Sequence, residues 1–296
     1  MPELTILTPC FNRLEQIKKL IKSLNNQTVF NFQWLIIDDG SNDGTEQWFE
    51  RLDKDSYHFK IDYFYKKNGG KHTALNYSHQ YIQGKYVVIV DSDDILISKA
   101  VEVILDYWRE YEHDKNIGSI IFQKGWLDNQ QKFDNKINGI KESTFAEMAN
   151  EGVSGDHCET FRTSLFTQEN FPIYKNENFV AEGAMWYLLT KNYHVIYVDK
   201  VIYLAKYLEG GLTKSGRRLR VVNPNGSRWH ARIFLDRDFC FKIRLKNSIL
   251  FDTYSHFIGE KWSKAVENVP HSRLMLSIVW WPSYILYYLW NKKYGN

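Results

Sequence analysis

Residues 88–94 read VIVDSDD. An aliphatic, β-branched run ends in three carboxylates, Asp91, Asp93 and Asp94, the pattern of a buried strand that delivers acids into the turn behind it. Unpaired carboxylates packed this closely repel one another. A divalent cation relieves that repulsion, and hard oxygen ligands with room left for water and phosphate suit Mg²⁺ or Mn²⁺ bridging a diphosphate. A solvated helix N-terminus, where acids complement the dipole, is the other reading of the same residues.

Three further segments keep this one company. LTILTPCFNR (4–13) and LIIDDGSNDGT (35–45) each run from an aliphatic strand candidate into a polar turn, and NGGKHTALN (68–76) opens a helix on a glycine turn. Strand candidates at 4–8, 34–37, 61–65 and 86–90 alternate with helix candidates at 14–24, 43–52 and 71–82. That alternation predicts an α/β protein with a mostly parallel sheet covered on both faces. In such sheets ligands bind at the carboxyl ends of the strands, where the turns 9–13, 38–42, 68–71 and 91–94 gather their polar residues. A helix at 98–112, a strand at 118–123, a helix at 182–191 and two short strands at 195–198 and 201–206 are expected beyond them. Irregular structure is expected over 125–151, with a short helix from Ser143.

The 296 residues are 44% hydrophobic and 25% charged, which excludes disorder, a collagenous repeat and a multi-spanning membrane protein. Cys10, Cys158 and Cys240 are too far apart for a zinc knuckle or a disulfide framework, so a reducing compartment is expected. The start MPELTILTP has neither the basic nor the apolar region of a signal peptide. No dinucleotide or P-loop glycine motif occurs.

Together the four motifs resemble the inverting glycosyltransferases of family two, from Leu4 to about Tyr207. The resemblance implies the GT-A fold, a Rossmann-like, mostly parallel central sheet flanked by helices, followed here by a mainly helical C-terminal extension. It divides the chain into a catalytic domain at 1–207, with a nucleotide half at 1–94 and an acceptor half at 95–207, and a basic, helical region at 208–296. It implies that Pro9, Asn12 and Arg13 line a nucleotide pocket, and that Asp39, with Asp38 beside it, accepts from the base. Lys71 would hold the nucleotide and Asn76 brace its loop. Asp91 and Ser92 would contact the donor, Asp91 at the ribose, and Asp93 would bind Mn²⁺ or Mg²⁺. The family's acidic pair at a helix start corresponds to FVAEGAMW (179–186), where Ala181 replaces the first acid and Glu182 stands as the expected catalytic base. The implied reaction is metal-dependent transfer from a nucleotide-sugar, a UDP-sugar above all, to a glycan or lipid-linked glycan, as in bacterial surface polysaccharide synthesis. A catalytically silent scaffold or glycan-binding protein and a sugar nucleotidyltransferase are the alternatives; the latter wants a Gly-rich loop that PCFNR does not supply.

Two clusters extend the site. GDHCETFR (155–162) offers Asp156, His157, Glu159 and Arg162 for acceptor contact or for a structural salt-bridge network. GGLTKSGRRLRVVNPNG (210–226) offers Lys214, Arg217 and Arg218 as a mobile loop closing over a diphosphate, or as a solvated or membrane-facing segment. His230 is a candidate for completing a metal shell. Residues 206–246 hold eleven Lys or Arg against three acids, in a chain whose net charge is only +3. The uncharged run LMLSIVWWPSYILYYLW (274–290) is marginal in length for a bilayer span and is broken by Pro282. Beside the basic stretch it predicts in-plane attachment to the cytoplasmic face of a membrane rather than nucleic-acid binding, with a packing or homo-oligomer helix as the competing reading.

Overall fold

The computed structural model describes residues 1–133, 136–153, 155–205, 212–267 and 269–295, with backbone alone at 212–215 and 270. Two compact units divide the chain: one takes in 1–148, 152–170 and the stretch from Leu189 to the last strand, the other 149–151, 171–188 and the C-terminal helices.

The first unit is a nine-stranded sheet with helices. Its strands are β1 (Leu4–Cys10), β2 (Phe32–Asp38), β3 (Lys60–Tyr65), β4 (Tyr86–Ile89), β5 (Ile95–Leu96), β6 (Ile117–Trp126), β7 (Ile140–Ser143), β8 (Cys158–Arg162) and β9 (His194–Ala205). They lie in the order β3-β2-β1-β4-β8-β6-β9-β5, with β7 also on β9. Strands β3, β2, β1, β4, β6 and β9 point one way, while β5, β7 and β8 run against them. β1 and β2 are buried along their whole lengths, as expected of parallel strands covered on both faces. The helices are α1 (Leu14–Asn25), α2 (Thr45–Arg51), α3 (Lys71–Ser78), α4 (Ala100–Glu110), α5 (Phe145–Asn150), α6 (Thr163–Phe166) and α7 (Gly183–Thr190), the last crossing from the second unit into the first. α1 buries Ile17, Leu20, Ile21 and Leu24, a stripe at helical spacing that docks on the sheet.

The mostly parallel α/β architecture is the one the sequence predicts; β7 forms within the stretch expected to be irregular, and three further differences stand out. α3 stops at Ser78 rather than Ile82, and the two short strands after His194 are one strand, β9, whose register against β6 shifts at Phe122–Lys124. The third matters most. β8, inside the segment read as an acceptor cluster, is an antiparallel strand between β4 and β6. Its start therefore lies at the carboxyl edge of β4 and its end, Arg162, beside Tyr86 at the opposite edge.

The second unit carries α8 (Leu212–Val222), α9 (Pro224–Ile233), α10 (Phe241–Phe257), α11 (Trp262–Glu267) and α12 (Arg273–Tyr294). α9 starts with Pro at its first position, and the Glu177 carboxylate accepts from the Asn225 and Gly226 N–H groups at 2.8 Å, satisfying donors that a helix start leaves open. α12 turns Leu276, Val279, Ser283 and Trp290 inward. Against α10, Ser283 Oγ donates to the Ile249 carbonyl at 3.1 Å.

α10 also buries Asp252 completely, with neither carboxylate oxygen hydrogen-bonded among the described residues. Burial pushes this carboxyl up to about 8, against the pull of Arg228. The folded chain therefore keeps a proton that the unfolded chain releases from 3.8 upward. Stability is fully present below that value and is lost as pH rises through about 8. Asp252→Asn should raise the melting temperature at pH 8 by several degrees and flatten its decline between pH 5 and pH 8; thermal melts across that range check it.

Candidate active site

The carboxyl ends of β1, β2 and β4 bring three turns together in the first unit. Behind β1, Asn12 holds a left-handed backbone (φ 52°), and the turn is laced to the one behind β2: the Asn12 N–H donates to Ser41 Oγ and Asn12 Oδ1 accepts from the Asn42 N–H, both at 2.8 Å. Asp43 Oδ2 accepts from the Leu14 N–H at 2.9 Å, so the β2 turn supplies the cap of α1. Pro9 is buried in β1, and Asn12 is exposed with Arg13 partly so beside it.

The Asp38–Asp39 pair, expected to accept from the nucleotide base, is buried among protein donors. Asp38 is fully buried, accepting from the Ser41 N–H at 2.8 Å and the Tyr63 hydroxyl at 2.7 Å. The Asp39 carboxylate accepts from Lys66 Nζ (2.5 Å), the Gly69 N–H (3.0 Å), the Gly70 N–H (2.7 Å) and Asn68 Nδ2 (3.1 Å). It thereby ties the β2 turn to the loop before α3. Gly40 sits in that tie at φ +89°, where a Cβ would lie 2.7 Å from the Asn68 nitrogen, so no other residue fits. Both acids thereby fix the turns at this edge of the sheet.

The loop aims Lys71, the first residue of α3, at the acidic turn: its Nζ lies 2.5 Å from Asp91 Oδ1. Asn76, partly buried, is in the same helix, and Ser92 is buried within the acidic turn itself. The three carboxylates have unequal surroundings. Burial pushes Asp91 up, but the Lys71 and Lys124 ammoniums outweigh it and hold the carboxyl below its ordinary value. Asp94 receives the Tyr203 hydroxyl at 2.8 Å and is pushed up to about 7 by burial and by the Asp91 charge. Asp93 is half-buried, and among the described residues its carboxylate has no hydrogen-bond partner but its own N–H. Burial and then the Asp91 charge raise it; Arg13 and Lys71 act the other way. A carboxylate whose charged form is held at a cost, facing two cations' worth of anion-binding charge, fits a hard divalent cation and a diphosphate. The protein alone closes no metal cage: among the described residues no group of three or more His, Cys, Asp or Glu is placed to hold an ion.

Of the acceptor candidates, Asp156 and Glu159 act on the same neighbourhood, since Lys124 feels both together with Asp91 and Asp94. Asp156 is exposed, Glu159 intermediate and His157 buried. Arg162 lies at the other end of β8, beside Tyr86. Its guanidinium donates to the carbonyls of Ile117 (2.8 Å), Tyr111 (2.9 Å) and Asp114 (2.9 Å), fastening the end of α4 to the start of β6 at the far edge of the sheet.

The second unit holds the remaining candidates. The Glu182 carbonyl accepts from the Met185 and Trp186 N–H groups, which places Glu182 at the cap of α7. The segment expected to be a mobile cationic loop is helical from Leu212 to Val222 with a break at Gly216, and Arg217 lies over the Trp290 ring at 4.7 Å, packed on α12. Arg218 is exposed, and the side chain of Lys214 lies outside the described residues. Burial drives the His230 imidazole down to about 3, so it is neutral at physiological pH.

Sequence reasoning missed Lys66, Lys124 and Tyr203. A lysine inside the apolar run IGSIIFQKGW was a legible signal for Lys124; a tyrosine in a strand reads as core, and nothing local marks Tyr203.

Known proteins share this architecture. The family model described as glycosyl transferase family 2 matches residues 5–169. A GalNAc(5)-diNAcBac-PP-undecaprenol beta-1,3-glucosyltransferase of Campylobacter jejuni is 27% identical over 197 residues, 64% of this chain and 60% of that protein, so the chain spans less than two thirds of this relative's length. The crystal structure of S. aureus TarS 1–349 in complex with UDP-GlcNAc superposes with a TM-score of 0.62 at 19% identity, over 93% of this chain and 78% of that one. The mannosyltransferase PcManGT from Pyrobaculum calidifontis, in complex with GDP-Man and Mn²⁺, gives 0.57 at 14% identity, over 98% and 83%. Both share the GT-A fold with the sheet described above. With more than half of its length matched by the family model, and with the acidic turn and braced loops that its sequence announces, the chain belongs to glycosyl transferase family 2.

Proposed function

We propose that this chain is a metal-dependent inverting glycosyltransferase that moves a sugar from a UDP-sugar to a hydroxyl of a glycan or lipid-linked glycan in surface polysaccharide synthesis. The observation that carries the reading is Asp93. Among the described residues it is the one carboxylate of the acidic turn left without a partner residue, at the carboxyl edge of the sheet and within the influence of Arg13 and Lys71. Pro9, Asn12 and Arg13 line the nucleotide, with Asp38 and Asp39 holding the wall behind them. Lys71 helps to hold the nucleotide and Asn76 braces its loop, while Asp91 and Ser92 serve the ribose side. Asp93 would hold a Mn²⁺ or Mg²⁺ ion, whose charge would offset that of the leaving diphosphate. Glu182 takes the proton of the acceptor hydroxyl as the nucleotide diphosphate departs from the opposite face. Asp156, His157 and Glu159 stand on the acceptor side. A thermal-shift panel of nucleotides with and without Mn²⁺ tests the reading, because a ligand at 100 times its dissociation constant adds about 2.7 kcal/mol. UDP with Mn²⁺ should stabilise the chain and UDP alone should do so less; no response to any nucleotide refutes it.

The reading extends to where the enzyme works. The acceptor named for the Campylobacter relative is linked to undecaprenol, a membrane lipid. Among the described residues no helix is long and apolar enough to cross a membrane. α12 instead exposes one apolar face: Leu274 (77%), Ile278 (68%), Trp281 (73%), Ile285 (62%) and Leu289 (55%), with Tyr284 and Tyr288 on the same exposed side rather than on a separate polar one. Exposed Arg273, Lys292 and Lys293 flank it. A wide aromatic stripe with cations at both ends suits the headgroup zone of anionic lipid, at about 1 kcal/mol for each cation near the surface. This reading puts the protein in peripheral contact with the cytoplasmic leaflet. Removing α12 would strip α10 of its cover, so charge on the exposed face is the cleaner test. Trp281→Glu with Ile285→Glu should abolish flotation of the full chain with anionic vesicles while leaving UDP binding unchanged. A wild-type chain that never floats, or one whose dimer these substitutions dissociate, makes the stripe a contact between copies.

A further inference from the structure

The acidic turn is clamped from behind by a residue remote in sequence. Tyr203 of β9 is fully buried, and its hydroxyl makes two bonds to the turn: it accepts from the Asp91 N–H at 2.9 Å and donates to Asp94 Oδ2 at 2.8 Å. β5, which follows the turn directly, pairs with β9 through Leu96 and Tyr203, so strand pairing fixes where that hydroxyl points. Lys124, the register partner of Tyr203 on β6, lays its ammonium 4.2 Å from the centre of the Tyr203 ring. Burial works against its charge, and Asp91, Glu159, Asp94 and Asp156 sustain it. A cation and a hydroxyl thus already serve the inner side of the turn. The turn itself is tight, with the Asp94 N–H donating to the Asp91 carbonyl at 3.1 Å.

Three acids within four residues would ordinarily offer a divalent ion several carboxylates, and affinity for hard cations climbs with the number of charged ligands. We propose that Tyr203 is a positioning residue that withholds Asp94 from the cation, so that Asp93 is the outward carboxylate and the ion binds tightly only in company with a nucleotide diphosphate. This rests on the donor-site reading above and adds to it an order of binding: nucleotide and metal enter together, and the empty enzyme does not sequester metal.

Calorimetric titration of Mn²⁺ into the nucleotide-free full chain, then of UDP with Mn²⁺ present, decides it. In Tyr203→Phe the hydroxyl is gone and Asp94 is released to the ion; nucleotide-free Mn²⁺ affinity should rise by about tenfold or more, since affinity climbs with ligand charge. Asp94→Asn placed in the Tyr203→Phe chain should return it to the wild-type value. A residue that merely packs would leave nucleotide-free affinity unchanged or lower it, and either outcome overturns the proposal. Asp94→Asn alone, which keeps an acceptor for the tyrosine, should bind UDP with Mn²⁺ within about threefold of wild type. Loss of Mn²⁺-dependent UDP binding in that variant makes Asp94 a ligand and also overturns the proposal. If the wild-type chain binds no UDP with Mn²⁺, the donor-site reading fails first and takes this inference with it.

Discussion

Asp93→Ala should abolish Mn²⁺-dependent binding of UDP and leave the fold intact. The two halves of that expectation come from the same surroundings. Asp93 shares no hydrogen bond with another described residue, and it bears the charge of Asp91 beside it, so no structural contact is lost on its removal and a repulsion is relieved. The Asp93→Ala chain should melt no lower than wild type. Binding is another matter. Lys71 is engaged with Asp91 and Tyr203 with Asp94, which leaves Asp93 to meet an ion that the diphosphate brings. Loss of an outer partner of a metal site already costs about 10- to 100-fold in affinity, and loss of the carboxylate itself should cost more than 100-fold. Calorimetry with UDP and Mn²⁺ reads this directly. Unchanged affinity in Asp93→Ala would assign the ion elsewhere, whereas a lowered melting temperature would give Asp93 a structural partner.

The parts of this site visible in the sequence are those where the chain is locally regular. A parallel strand buried on both faces must be a continuous apolar run, and the polar turn that ends it must lie at the binding edge; VIVDSDD and LIIDDGSNDGT carry both facts in seven to eleven residues. What the sequence conceals is pairing between distant segments. CETFR is short and half polar, yet lies between β4 and β6 because the sheet needs a strand there, and this insertion sends Arg162 to the far edge while keeping Glu159 near the turn. Asp38 and Asp39 read as ligands because acids after a strand usually face out. They turn inward because Tyr63, Lys66 and the Gly69–Gly70 amides, from the neighbouring strand and loop, supply donors that no local pattern announces. The faces of α12 are likewise undecided in the sequence; packing buries Leu276, Val279 and Ser283, the last bonded to Ile249 of α10, and leaves the opposite side to solvent.

Glu182→Gln should keep UDP and Mn²⁺ binding at wild-type levels and lower turnover by at least about 10²-fold. Glu182 is placed by its backbone, since its carbonyl accepts the first bonds of α7 from Met185 and Trp186. A change confined to the side chain leaves that start in place, and glutamine keeps its volume and an acceptor oxygen while losing the basicity that a proton-accepting carboxylate needs. With Ala181 in the position of the family's first acid, no neighbouring carboxylate is on hand in FVAEGAMW to substitute. Steady-state UDP release from the donor that the binding panel selects, measured with and without glycan acceptors, supplies the comparison. Turnover near wild type in Glu182→Gln, together with its loss in Glu159→Gln or Asp156→Asn, would move the base to the acids at the start of β8, where the Lys124 ammonium already senses both of them.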